Sequence, residues 1–158
     1  MKEFIDQVHT LYANEPQCHA LLSAYAQDID LDVLETYGAE HVASVLKQHF
    51  DWAQKRPTDR PYSFKLSPHD ASQTSTTLAM LNDDAPFLVD SIQILLHRLG
   101  LHHHWMLHPV VYVARTPKGA LQYDAPSTHC ESWIVLEIDS IQDKKVYQQL
   151  HHEIEQLL

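Results

Sequence analysis

Residues 78–101 read LAMLNDDAPFLVDSIQILLHRLGL, and this stretch decides the fold. The run 78–81 is short and apolar, as a buried strand is. Asn82, Asp83 and Asp84 interrupt it. Asp84 reads as a helix N-cap, because its carboxylate can accept from a free first-turn amide. Pro86 then falls in the first turn, where a missing N–H costs nothing. Phe87, Leu88, Ile92, Leu95, Leu96 and Leu99 recur at helical spacing, and Gly100 supplies a helix stop. The stretch is therefore strand, acidic bend, helix.

Downstream, residues 101–115 carry Trp105, Leu107, Val111 and Val113 in an extended run. Pro109 inside it predicts an edge, bulge or bend. A turn at 116–119 and a brief strand at 120–123 follow. Residues 131–139 alternate as a strand, with Ser132, Ile134, Leu136 and Ile138 on one face and Trp133, Val135 and Glu137 on the other. Val146, Leu150, Ile154 and Leu157 then have helical spacing. Upstream, residues 62–66 and 74–81 form two strands that could pair, joined by a turn at 67–73. Residues 2–56 read as helices, the longest carrying Val42, Val45, Leu46, His49, Phe50 and Ala53 on one side. This divides the chain into a helical subdomain, 1–56, and an α+β unit, 57–158.

The formal charge of −10 argues against a general nucleic-acid binder. No apolar run is long enough for a membrane span, and residues 1–10 lack a signal peptide's apolar core. A cytoplasmic protein with two reduced cysteines, Cys18 and Cys130, is the expectation. Three glycines make a pyrophosphate cradle improbable, and GxGxxG, P-loop, GxSxG and HExxH patterns are missing. Catalytic and cofactor-binding residues are expected to be none.

Two clusters remain. Asp83, Asp84, Asp90 and Ser91 surround the start of the central helix. On residue type alone they read first as a cap and a fixed turn. As a site they would suit an amino acid, with carboxylates for its ammonium and free amides for its carboxylate. His102, His104 and His108 could share one side of a strand, with His103 leaving it. No cysteine or carboxylate nearby in sequence completes a zinc set, so an exposed or paired strand face is the plainer reading. His151 and His152 do not converge on a helix. His129 and Cys130 are adjacent, which is not the geometry that activates a thiol.

The run Asn82-Asp83-Asp84-Ala85-Pro86-Phe87-Leu88-Val89-Asp90-Ser91 resembles a signature of the large bacterial NAD-specific glutamate dehydrogenases. His108-Pro109-Val110, Glu131-Ser132-Trp133, Glu137-Ile138-Asp139, residues 49–56 (HFDWAQKR) and Ser67-Pro68 extend that resemblance. It implies an N-terminal, non-catalytic region of a long enzyme, with NAD bound by a catalytic domain far beyond residue 158. The implied fold is an ACT-like α+β sandwich, a mainly antiparallel sheet with helices on one face, preceded by the small helical subdomain. Implied partners are downstream domains of the same polypeptide, a second copy of the chain, and a small amino-acid effector at the acidic bend. A typical ACT-like unit is βαββαβ. Here the last strand either lies beyond residue 158 or is replaced by 62–66. The rival reading is a ligand-free assembly module, for which an exposed Trp105 or Trp133 would serve. A stand-alone metal binder rests on the histidine count alone.

Overall fold

The computed structural model describes residues 1–68 and 74–158. Its elements are α1 (Lys2–Leu11), a 3-10 turn (Pro16–Cys18), α2 (His19–Ala26), α3 (Leu31–Tyr37), α4 (Ala39–Ala53), β1 (Tyr62–Pro68), β2 (Ser75–Asp83), α5 (Leu88–Arg98), β3 (His103–Leu107), β4 (Val110–Arg115), β5 (Leu121–Gln122), β6 (His129–Asp139) and α6 (Lys144–Leu157). The class is α+β on an antiparallel sheet, as an ACT-like unit requires. Of the turn expected at 67–73, Ser67 and Pro68 belong to β1, and the rest lies outside the described residues.

β6 organises the sheet. β2 runs along one edge of it, from Asp83 opposite Glu131 to Ser75 opposite Asp139. The other edge is shared, β4 on its N-terminal part and β3 on its C-terminal part. β3 and β4 are thus two halves of one run, parted at His108 and Pro109. The Pro109 carbonyl still accepts the Trp133 N–H at 3.0 Å. This is the break expected of a proline inside a strand. β1 pairs with the far side of β2, Leu66 opposite Leu78. A split βαβ sandwich places its last strand there. In this chain an upstream strand fills the position.

Strand alternation separates two cores. Leu78, Met80, Ile134, Leu136 and Ile138 face α5 and α6, meeting Ile92, Leu96, Leu150 and Ile154. Leu81, Trp133, Val135 and Trp105 face the leading helices, meeting Phe4, Leu22, Tyr25, Leu46 and Phe50. With both faces covered, β2 and β6 are buried along nearly their whole length. Trp105 and Trp133 are therefore not exposed: they are 2% and 0% accessible, under α1–α4. A fully buried Leu or Phe of this core, such as Leu81 or Phe50, contributes roughly 1.5–3 kcal/mol.

Asp84 does not cap α5. Pairing with β6 draws the chain through Asp83 before it leaves the sheet, and the Asp84 N–H donates to the Cys130 carbonyl at 3.2 Å. Its carboxylate accepts from Ser132 Oγ at 2.7 Å. The cap position falls on Phe87, with no side-chain cap bond, so Pro86 precedes the helix rather than opening it. Phe87 sits at φ +65°. At the other end Gly100, at φ +69°, bonds back to His97 at 3.0 Å, and Leu101 to Leu96 at 2.9 Å. Those two bonds make the Schellman stop expected of the glycine.

Candidate functional site

The structure spreads the acidic bend over two sides of the sheet end. Asp83 turns towards the leading helices and pairs with Arg56 Nη1 at 2.8 Å. Asp84 turns the other way, to Ser132. Asp90 is exposed in the first turn of α5, where a negative charge suits the helix dipole. Ser91 is half-buried on the groove between α5 and α6, beside Ile94, Arg98 and Glu153. No hydrogen bond joins these four side chains to one another.

Asp83 leads instead into a charged cluster at the same end of the sheet. Glu131, on β6, is fully buried. Its Oε1 accepts from Arg56 Nη1 at 2.9 Å and Arg115 Nε at 2.7 Å. Its Oε2 accepts from Arg115 Nη2 at 2.8 Å and the Trp133 indole N–H at 2.8 Å. His129 Nε2 lies 3.1 Å from Oε1. Burial alone pushes the Glu131 carboxyl up. Hydrogen bonds from Arg115 and Trp133, with both guanidinium charges, outweigh that and hold it at about 2.

The same arginines bind backbone. Arg115 Nη1 donates to the carbonyls of Ala53 and Gly119, at 3.1 and 2.9 Å, and Arg56 donates to Pro61 O. The Arg56 N–H reaches Gly119 O at 3.0 Å. Gly119 is required here. Its φ is +82°, and a Cβ would lie 1.9 Å from the Arg56 carbonyl oxygen. Beside the cluster opens a recess of about 500 Å3, lined by Arg56, Arg60, Asp83, Arg115, Gly119 and His129 among others.

A second buried acid lies six residues along β6. Glu137 accepts from Trp105 Nε1 at 2.9 Å and pairs with His41 of α4 at 2.8 Å. Between the two acids, His49 of α4 accepts from the Tyr25 hydroxyl through Nδ1 and donates from Nε2 to the Met80 carbonyl at 3.3 Å. Burial lowers its pKa to about 3, against a small opposing pull from the Met80 carbonyl.

Of the three histidines, His102 and His104 converge on Asp139, at 3.0 and 3.1 Å. The His102 backbone N–H gives the largest pull on that carboxyl, holding it at about 2. His108 does not join them. In the break between β3 and β4, just before Pro109, its ring is half-buried, burial lowers its pKa, and Nε2 has no hydrogen-bond partner. Among the described residues no group of three or more His, Cys, Asp or Glu is arranged to hold a metal ion.

Sequence reasoning missed Arg56, Arg115 and Glu131 as a unit. The available signal was the alternation Glu131, Trp133, Val135, Glu137. An acid on a strand's buried face must find partners elsewhere in the chain.

Comparison with known proteins matches this architecture. The profile of the family described as "Glutamate dehydrogenase, ACT1 domain" fits residues 21–154. A NAD-specific glutamate dehydrogenase of Halomonas elongata is 33% identical over 112 residues, covering 66% of this chain and 7% of that protein. One from Pseudomonas aeruginosa is 34% identical over 100 residues, covering 60% of this chain and 6% of that protein. The chain thus spans only a small fraction of these relatives' length. By a profile match over most of its residues, laid on an ACT-like sheet, it belongs to the family of glutamate dehydrogenase ACT1 domains.

Proposed function

We propose that this chain is a non-catalytic regulatory region of a large NAD-dependent glutamate dehydrogenase. The whole enzyme would oxidatively deaminate L-glutamate to 2-oxoglutarate and ammonia, with NAD held by a downstream catalytic domain. The carrying observation is the family match over residues 21–154, in relatives far longer than the segment they share with this chain. In this reading residues 1–56 form a helical subdomain leading into the ACT-like unit, 57–158.

The regulatory act is amino-acid sensing at the β2–α5 bend. Asp84 and Asp90, beside the start of α5, offer carboxylates to an ammonium group, and the free amides opening α5 face a carboxylate. Asp83, held by Arg56, and Ser91, on the α5–α6 groove, stand apart from them. Phe87 supports this. A bulky residue at φ +65°, 74% exposed, is backbone strain that ordinary packing does not require. Bound ligand must then favour one arrangement of domains over another, since equal affinity shifts nothing. Calorimetric titration with the common amino acids tests it. Saturable heat from one of them, lost in Asp84→Ala, is expected; silence across the set ends the sensing reading.

A second reading, assembly of copies or domains without a ligand, has its own observation. Val110 and Tyr112 on β4 and Ile94 on α5 are exposed, and among the described residues β3 has no strand on its outer edge. Sedimentation equilibrium should then show a dimer or larger species that Tyr112→Asp disperses. A monomer at all concentrations sinks this alternative.

A further inference from the structure

Three of the chain's four arginines, Arg56, Arg60 and Arg115, line one recess, although the net charge is −10. A recess of the same volume between α1 and α4 holds Lys47 and Glu40 and no arginine. Arg115 is fully engaged with Glu131 and backbone carbonyls. Arg56 is divided between Glu131 and Asp83. Arg60 lies over the Tyr62 ring, 5.3 Å from its centroid, and forms no ion pair among the described residues.

Asp83 is the loosely held member. Its side chain is 58% exposed, against 7% for Arg56 and 0% for Glu131, and one ion pair holds its carboxylate. An exposed carboxylate resting on a buried guanidinium occupies the place that a ligand's anionic oxygen would take. We propose that this recess binds a small dianion, a dicarboxylate or a phosphate, one of whose anionic oxygens displaces Asp83 from Arg56 while another is drawn to Arg60. With Asp83 turned to solvent, three guanidinium groups face Glu131 and Asp59, which also lines the recess. The site does not rest on amino-acid sensing at the bend, because neither ligand class carries an ammonium group.

Calorimetry on the 158-residue chain tests it, with inorganic phosphate and succinate as separate probes and sodium chloride at matched ionic strength as control. Saturable heat from one probe beyond the chloride control is expected, and which probe gives it identifies the anion class. Arg60→Gln should abolish it. Asp83→Asn should tighten it about 2- to 5-fold, the range of a partly exposed ion pair. Arg98→Gln, on α5, should leave it unchanged. The proposal is overturned if neither probe gives saturable heat with the parent chain or with Asp83→Asn. It is overturned equally if Arg60→Gln binds like the parent, or if Arg98→Gln loses as much as Arg60→Gln.

Discussion

The two faces of the sheet are held by different physics. Under α5 and α6 the core is Leu78, Met80, Ile92, Leu96, Ile134, Leu136, Ile138, Leu150 and Ile154, aliphatic throughout. Under α1–α4 the packing is aromatic, around Trp133, Tyr25 and Phe50, and it encloses Glu131, Glu137, Arg56 and His49. Apolar contact is non-directional and tolerates small shifts. Charged hydrogen bonds tolerate almost none, since a buried partner left alone is costly. The leading helices are therefore fixed in register against the sheet, whereas α5 and α6 are fixed mainly by volume.

The strongest way to break this contrast is to remove the charge at its centre. Glu131→Gln leaves Arg115 buried without an anionic partner and should cost about 3–5 kcal/mol. Ile134→Val, on the opposite face of the same strand, should cost about 0.5–1.5 kcal/mol. Urea unfolding measures both, and equal losses would mean that the faces do not differ as described. Gly119→Ala comes next, at about 2–4 kcal/mol. It adds the left-handed penalty of about 1–2 kcal/mol to a collision with the Arg56 carbonyl that the β4–β5 turn must open to relieve. An Ala variant as stable as the parent would remove the turn from the polar lock.

Acid should separate the faces further, because among the described residues the buried titrating groups His49, Glu131 and Glu137 all lie on the leading-helix face. His49 has its pKa lowered from 6.5 to about 3. Below pH 6.5 the unfolded chain takes up a proton that the folded chain refuses. Stability from this group therefore falls as pH drops, by about 1.4 kcal/mol per unit, or about 2 kcal/mol at pH 5. Glu131, lowered from 4.5 to about 2, acts in the same direction in a lower window. Its contribution is whole above 4.5 and is lost as pH falls towards 2. His49→Gln should flatten the dependence between pH 6.5 and 5 while leaving the lower limb. Urea midpoints at pH 5, 6 and 7 read this directly, and an unchanged slope would show that His49 does not carry it.

What could be read from sequence divides along the same line. The aliphatic face is local periodicity, so α5, its Gly100 stop, α6 and the alternation of β6 were all legible. The polar face is made of long-range pairs. Arg56 and Glu131 are 75 residues apart, and His41 and Glu137 are 96 apart. Asp84 shows the competition in one residue: local rules make it a cap, but pairing with β6 and the Ser132 hydroxyl claim it first. Trp105 and Trp133 were open to misreading for the same reason, since no short pattern says that a second layer of helices covers them. His102 and His104 followed strand alternation to Asp139, and His108 was lost where Pro109 bends the run.

The smallest effect belongs to the charged contact that joins α5 and α6 among the described residues. Arg98 of α5 pairs with Glu153 of α6, with the arginine 64% exposed. Water screens such a pair, and the side chains lose entropy to hold it, so Arg98→Ala should cost less than about 1 kcal/mol. What difference there is should shrink in high salt, where exposed charges no longer sense each other beyond a few ångströms. The Glu131→Gln deficit should persist in the same buffer, because it comes from the buried hydrogen bonds lost by Arg115, which screening does not restore. Paired unfolding curves at low and high salt compare the two losses. A salt-resistant Arg98 deficit would mean that α5 and α6 are also held in register by charge, and the contrast between the faces would narrow to one of degree.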